Sequence, residues 1–268
     1  MEKLPFRLKA INIATLLFAL LLFYRIAHTA EISLSPTQLI KVADQELWKF
    51  NYAKADSIYT TLLQQQPDNA ELHWKLARLQ VSVAESITSD KTDSRLRHYR
   101  KAETYARNSI AIDSTSSKGH TWLATSLALM ADKIGTKEKL QRANEIKREL
   151  DTAIRLNPND ETAHSLLGSY YREAANIGWF RRMIGNAFIG QVPEGNLQLA
   201  EQSFKKAIIL DPQMIRNYHE LALVYLKQGN NADALVLLQK GVKLPIRIES
   251  DKRRLEQMQQ LIKKHGSE

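Results

Sequence analysis

One local pattern recurs four times and constrains this chain more than any other feature. The stretches QQQPDNAELHWKLA (64–77), AIDSTSSKGHTWLA (111–124), RLNPNDETAHSLLG (155–168) and ILDPQMIRNYHELA (209–222) each read as a helix end, a polar turn and a new helix. Pro67, Ser114, Pro158 and Pro212 fall in register, and each turn is followed by an aromatic residue or His, then by Leu and a small residue. The closing pairs are Leu76–Ala77, Leu123–Ala124, Leu167–Gly168 and Leu221–Ala222. Before each turn lies an apolar comb at spacings of three and four: Ala55, Tyr59 and Leu62; Ala102 and Ala106; Ile146, Leu150 and Ala153; Ala200, Phe204 and Ala207. Such spacing places each set on one face of a helix.

Self-similarity of this kind points to stacked helical pairs. The pattern resembles the tetratricopeptide repeat, a 34-residue helix–turn–helix in which small residues sit where two helices approach closely. The unit from Ile215 to Pro245 carries the fullest set, with Tyr218, Leu221, Ala222, Tyr225, Gly229, Ala234 and Leu238. The expected fold is all-α: a right-handed α-solenoid of about five tetratricopeptide-like pairs with a C-terminal capping helix over RIESDKRRLEQMQQLIKK.

The repeat is enlarged. Its turn marks stand 47, 44 and 54 residues apart. The small residue of the first helix precedes its counterpart in the second by 25 (Ala77 to Ala102), 22 (Ala124 to Ile146) and 32 (Gly168 to Ala200) residues. The extra residues therefore fall at the turn inside a pair, which places them along one edge of a solenoid. The stretches 133–160, 163–180 and 200–212 carry these enlarged pairs, and with them the chain resembles the regulator of microtubule dynamics family over roughly residues 40–265. That resemblance implies a tetratricopeptide-like protein, in some members tethered to a membrane.

Residues 1–30 read differently. Lys3, Arg7 and Lys9 precede an apolar run from Ala10 to Tyr24, followed by Ala27, Thr29 and Ala30. Fifteen residues suit a signal-peptide core better than a span, which needs about 20. The expectation is a signal peptide or N-terminal membrane anchor over 1–30, a repeat domain over 31–268, and export to a periplasmic or other extracytoplasmic location, where microtubules are absent. The formal charge is +9, of which +3 belongs to residues 1–30. The remaining mild excess excludes an Arg-rich nucleic-acid domain. The chain holds no cysteine, hence no disulfide frame and no thiolate nucleophile.

The first helix of each pair should line the concave groove. By register its residues include Leu47 and Trp48; Trp74, Arg78 and Val81; Lys118, Thr121 and Thr125; Ser165, Ser169 and Arg172; Arg216, His219, Leu223 and Lys227. The excess of cations suits an extended acidic protein or peptide partner. The candidate partner-binding residues are Trp74, Arg78, Thr125, Ser169, Arg172, Arg216 and Lys227, joined by Trp179 and Phe180 from the segment NIGWFRRMIGNAFIGQVPEGN (176–196). That segment interleaves aromatic and apolar residues with Arg181 and Arg182. It suits a membrane surface, a partner, or an apolar ligand such as a lipid, and equally a plug on the solenoid edge.

Catalytic signatures are missing: the sequence contains no HExxH, Walker loop, GxSxG or GxGxxG. The acidic pairs Glu149/Asp151 and Asp160/Glu161 are expected at helix ends as caps. His73, His120 and His164 share one repeat position, so they lie about 10 Å apart and cannot share an ion. They are read as packing residues, and no cofactor or metal is expected.

Overall fold

A computed structural model describes residues 34–134, 136–176 and 195–266. The leader-like segment 1–30 and the aromatic residues Trp179 and Phe180 lie outside the described residues.

The described residues hold eleven helices and no strand. They fall into five antiparallel pairs: α1 (Pro36–Trp48) with α2 (Tyr52–Gln65), α3 (Ala70–Ser86) with α4 (Thr92–Ile112), α5 (Ser117–Ile134) with α6 (Thr136–Leu156), α7 (Glu161–Ala174) with α8 (Leu197–Leu210), and α9 (Ile215–Lys227) with α10 (Asn231–Gly241). Helix α11 (Ser250–His265) follows. Contact clustering separates residues 1–39 from 40–268. Of the first unit, residues 34–39 are described; there Ser35 and Gln38 cap each other's backbone, at 2.8 and 3.3 Å.

The chain turns where it does for local chemical reasons. Asn69, Asp160, Asn196 and Asn230 each accept a backbone amide from the first turn of the helix they precede, which satisfies donors with no intrahelical partner. The residue six after each turn mark locks that turn. His73 Nε2 lies 2.9 Å from the Pro67 carbonyl, His120 Nε2 3.2 Å from Ser114, His164 Nε2 2.9 Å from Pro158, and the Tyr218 hydroxyl donates to Pro212 at 3.1 Å. A carbonyl only accepts, so each ring nitrogen carries its proton toward the turn. These three histidines are turn locks, each bound within its own repeat.

The core is a stack of close helix approaches. Ala77, Ala124, Ala106, Ala153 and Ala163 sit with Tyr99, Leu123, Leu127, Leu150 and Ile146 in one buried cluster that runs from the second pair through the third to the first helix of the fourth. At Gly168 an added Cβ would meet the Phe204 ring at 2.8 Å, so the small residue there is a steric requirement.

The extra residues of pairs two and three are not loops. They lengthen the helices to 17 and 21 residues in pair two and to 18 and 21 in pair three. The extension of pair two is closed by a polar network. Arg95, 1% exposed, donates to Glu85, and the Tyr99 hydroxyl donates to the same carboxylate. Burial lowers the Arg95 pKa, and the charges and hydrogen bonds of Glu85 and Tyr99 together more than reverse that. Glu149 and Asp151 also depart from expectation. They lie inside α6 rather than at its end, and pair with His120 at 2.6 Å and Lys147 at 2.6 Å. Asp160 does cap α7, while its neighbour Glu161 faces Arg216 and Asn217.

Candidate functional site

The residues expected to line a groove lie on α1, α3, α5, α7 and α9, and the arginines among them do not stand free. Arg78 donates to Asp44, lies 3.4 Å from the Tyr59 hydroxyl, and stacks between the rings of Trp48 (5.7 Å) and Trp74 (5.5 Å). Asp44 also accepts from Tyr59 at 2.6 Å and from Lys75 at 2.6 Å. Burial pushes the Asp44 carboxyl up, but these hydrogen bonds and the two cations outweigh it and hold the group below its ordinary value. Asp44 is thus the hub that fastens α1 to α2 and α3.

Farther along, Arg172 pairs with Glu220 at 2.9 Å and with Glu173 at 3.0 Å. Arg216 donates to Ser165 at 2.9 Å and to Glu161 at 3.0 Å. Burial raises Glu220, yet His219, Arg172 and Arg254 together bring its carboxyl down to about 2. Lys227 donates to the Ala175 carbonyl at 3.3 Å and to the Asn176 side chain. The hydroxyls turn inward along their own helices: Thr125 donates to the Thr121 carbonyl at 2.7 Å, and Ser169 to the Ser165 carbonyl at 3.2 Å. Thr125 is buried. The sequence missed the acidic partners Asp44, Glu161 and Glu220 because they lie 31 to 55 residues from the cations they hold.

The C-terminal segment also enters this site. Arg247 bonds Asp211 at 2.7 Å and lies 5.3 Å from the Trp48 ring. Lys252 lies 5.6 Å from the Phe50 ring, and Arg253 is 3.7 Å from Glu85. Burial, reinforced by the charge of Glu249, pushes the Tyr52 phenol up to about 12. Helix α11 therefore does more than cap the last pair. Its apolar side, led by Met258, packs on α9 and α10, while its first turn and the preceding linker reach α1 and α3.

Comparison with known proteins agrees with this architecture. The sequence pattern described as "Regulator of microtubule dynamics protein 1-3" matches residues 39–266. The chain belongs to that family. It is 27% identical to the mouse "Regulator of microtubule dynamics protein 1" over 85% of this chain and 75% of that protein. To the human protein of that name it is 31% identical over 67% of this chain and 57% of that protein. Among solved structures, a thermophilic tetratricopeptide protein of Thermus thermophilus aligns with a TM-score of 0.60 at 17% identity, over 85% of this chain and 99% of that one. Yeast Tom70 aligns with a TM-score of 0.51 at 14% identity, over 85% of this chain and 40% of that one. At such identities the structures speak for the fold alone.

The family overturns one expectation. Mouse and human cells have no periplasm, and these relatives are named for microtubule dynamics, so the periplasmic or extracytoplasmic location read from residues 1–30 is corrected. Among the described residues no helix is long and apolar enough to cross a membrane.

Proposed function

We propose that this chain is a non-catalytic protein-interaction scaffold, holding a protein partner along the face built by α1, α3, α5, α7 and α9. The observation that carries this reading is the series of five helical pairs whose first helices carry Trp48, Trp74 and Arg78, which meet one another, and farther along Arg172 and Arg216, each paired with a carboxylate. Repeat stacks are suited to this role because they present an extended surface on a rigid frame. Trp74 and the rim cation Lys227 are the proposed contact residues. Arg78, Arg172 and Arg216 are proposed to shape the surface, since each already serves an internal ion pair.

Family membership makes a microtubule, or a protein bound to one, the first partner to test. The full chain should co-sediment with assembled microtubules, directly or when cell extract is added. In parallel, cross-linking in cells followed by mass spectrometry should recover one protein in stoichiometric amount with the wild type and much less with Trp74→Ala. Equal recovery from both, with the variant still folded, sinks the groove reading. Recovery of nothing from either sinks the scaffold reading.

A further inference from the structure

The C-terminal segment carries both signs of charge, and its cations reach beyond it even where they also pair within it. Its carboxylates are largely spent at home: Asp251 accepts the backbone amides of Arg247 and Ile248 at 3.2 and 3.1 Å and pairs with Arg254, while Glu249 pairs with Lys252 at 2.7 Å. Its cations face the body of the protein. Arg247 reaches Asp211 and Trp48, Lys252 reaches Phe50, Arg253 reaches Glu85, and Arg254 lies in the field of Glu220 and Glu85, opposed by Arg216. What the body offers is carboxylate and aromatic face, the chemistry that receives guanidinium and ammonium groups.

Two further observations concern the same place. Phe50, which meets Lys252, has φ +62° and is the one non-glycine residue at positive φ among the described residues. A bulky side chain held in that region costs energy and persists only where its surroundings require it. The cation contacts themselves are weakly held, for the side chains of Lys252 and Arg253 are 58% and 52% exposed. Pairs of that kind add little stability, so they can be exchanged.

We infer that residues 246–254 are a built-in occupant of the surface made by Trp48, Phe50, Glu85 and Asp211, and that the external ligand of this surface is a basic peptide segment bearing Arg or Lys, which competes with them for Asp211, Glu85 and the rings of Trp48 and Phe50. This rests on the scaffold reading and assigns its partner a chemistry. It reverses the sign read from the sequence: Arg78, Arg172 and Arg216 are each paired with a carboxylate of the body, and what the C-terminal cations meet is Asp211, the Glu85 oxygen not taken by Arg95, and the rings of Trp48 and Phe50. A tethered occupant enjoys a high effective concentration, so the wild type must bind a free peptide more weakly than a chain whose own segment has lost its cations.

The test uses the full chain and the triple variant Arg247→Ala/Lys252→Ala/Arg253→Ala, which leaves the Met258 packing of α11 untouched. The probe is a fluorescent peptide with the sequence of residues 245–256; its control has every Arg and Lys replaced by Glu. Fluorescence anisotropy should show the basic peptide binding the variant at least about tenfold tighter than the wild type, and the acidic control binding neither. Equal affinity for the two proteins overturns the competition. Binding of the control as tightly as the basic peptide, or no binding by either protein, overturns the assigned chemistry. A chain that recovers its partner by cross-linking but ignores the basic peptide keeps the scaffold reading and loses this one.

Discussion

The second pair runs to 17 and 21 residues where the fifth runs to 13 and 11. In the fifth, a short turn through Gly229 and the Asn230 cap joins two helices whose contact is apolar, with Tyr218, Ala222, Ala234 and Leu238 buried between them. In the second, the same apolar packing covers the repeat proper, but the added turns meet through Glu85, Arg95 and Tyr99. The difference teaches that a helical pair lengthened beyond its repeat needs added closure, here from its equally long neighbour and from polar groups of its own. That closure adds a charged network to the hydrocarbon of Ala84, Leu96 and Met130.

The most damaging way to break the comparison is Arg95→Ala. It leaves the Glu85 charge without its main partner, 14% exposed, and should cost about 3 kcal/mol in urea unfolding. The double variant Glu85→Gln/Arg95→Met should recover much of that loss, since removing both charges avoids a stranded one. Next comes Gly168→Ala in the fourth pair, where the Phe204 ring, itself fully buried, has nowhere to move; overpacking there should cost about 2 kcal/mol. Gly229→Ala separates backbone from steric effects. Nothing lies within 4 Å of its added Cβ, yet its φ is +79°, so a loss of about 1 kcal/mol is expected from conformation alone. A thermal melt of the two glycine variants side by side checks the ranking.

The smallest effect concerns the third pair. His120 donates one ring nitrogen to Ser114 and the other to Glu149, which requires the imidazolium. The hydrogen bond that His120 donates to Glu149 raises the His120 pKa against burial and the nearby Arg155, and the same bond lowers Glu149. The histidine's contribution is therefore complete below its unfolded value of about 6.5 and is lost as pH rises through the higher folded value. That of Glu149 is present above its unfolded value of about 4.3 and is lost as pH falls through its lower folded one. Between pH 6 and pH 9 the wild type should lose stability relative to His120→Gln. Parallel unfolding curves at the two pH values would remove the ion pair from the account.

The number of pairs and their register were legible because Pro67, Ser114, Pro158 and Pro212, with Ala77, Ala124, Gly168 and Ala222, are local signals that survive between repeats. The turn-locking role of His73, His120 and His164 was half legible. Their shared position was visible; the carbonyl six residues back was not. Counting located the extra residues at the intra-pair turn but could not say whether they were loop or helix, since a count holds no conformation. The groove was least legible. Helical register gives a residue's face but not which carboxylate, on a helix dozens of residues away, will meet it, so Arg78, Arg172 and Arg216 read as free cations until Asp44, Glu220 and Glu161 were in view.

The reach of the C-terminal segment to Trp48, Phe50 and Glu85 has a consequence for how this domain comes apart. A linear stack of repeats loses order from either end, one unit at a time, because each unit feels only its neighbours. Joining the last helix to the first two pairs gives the array a covalently distant seam, so that fraying at one end releases contacts at the other. Because the pairs that make this seam are exposed and individually weak, it should open before the stack itself melts, freeing Trp48 and Phe50 while the helical pairs between stay folded.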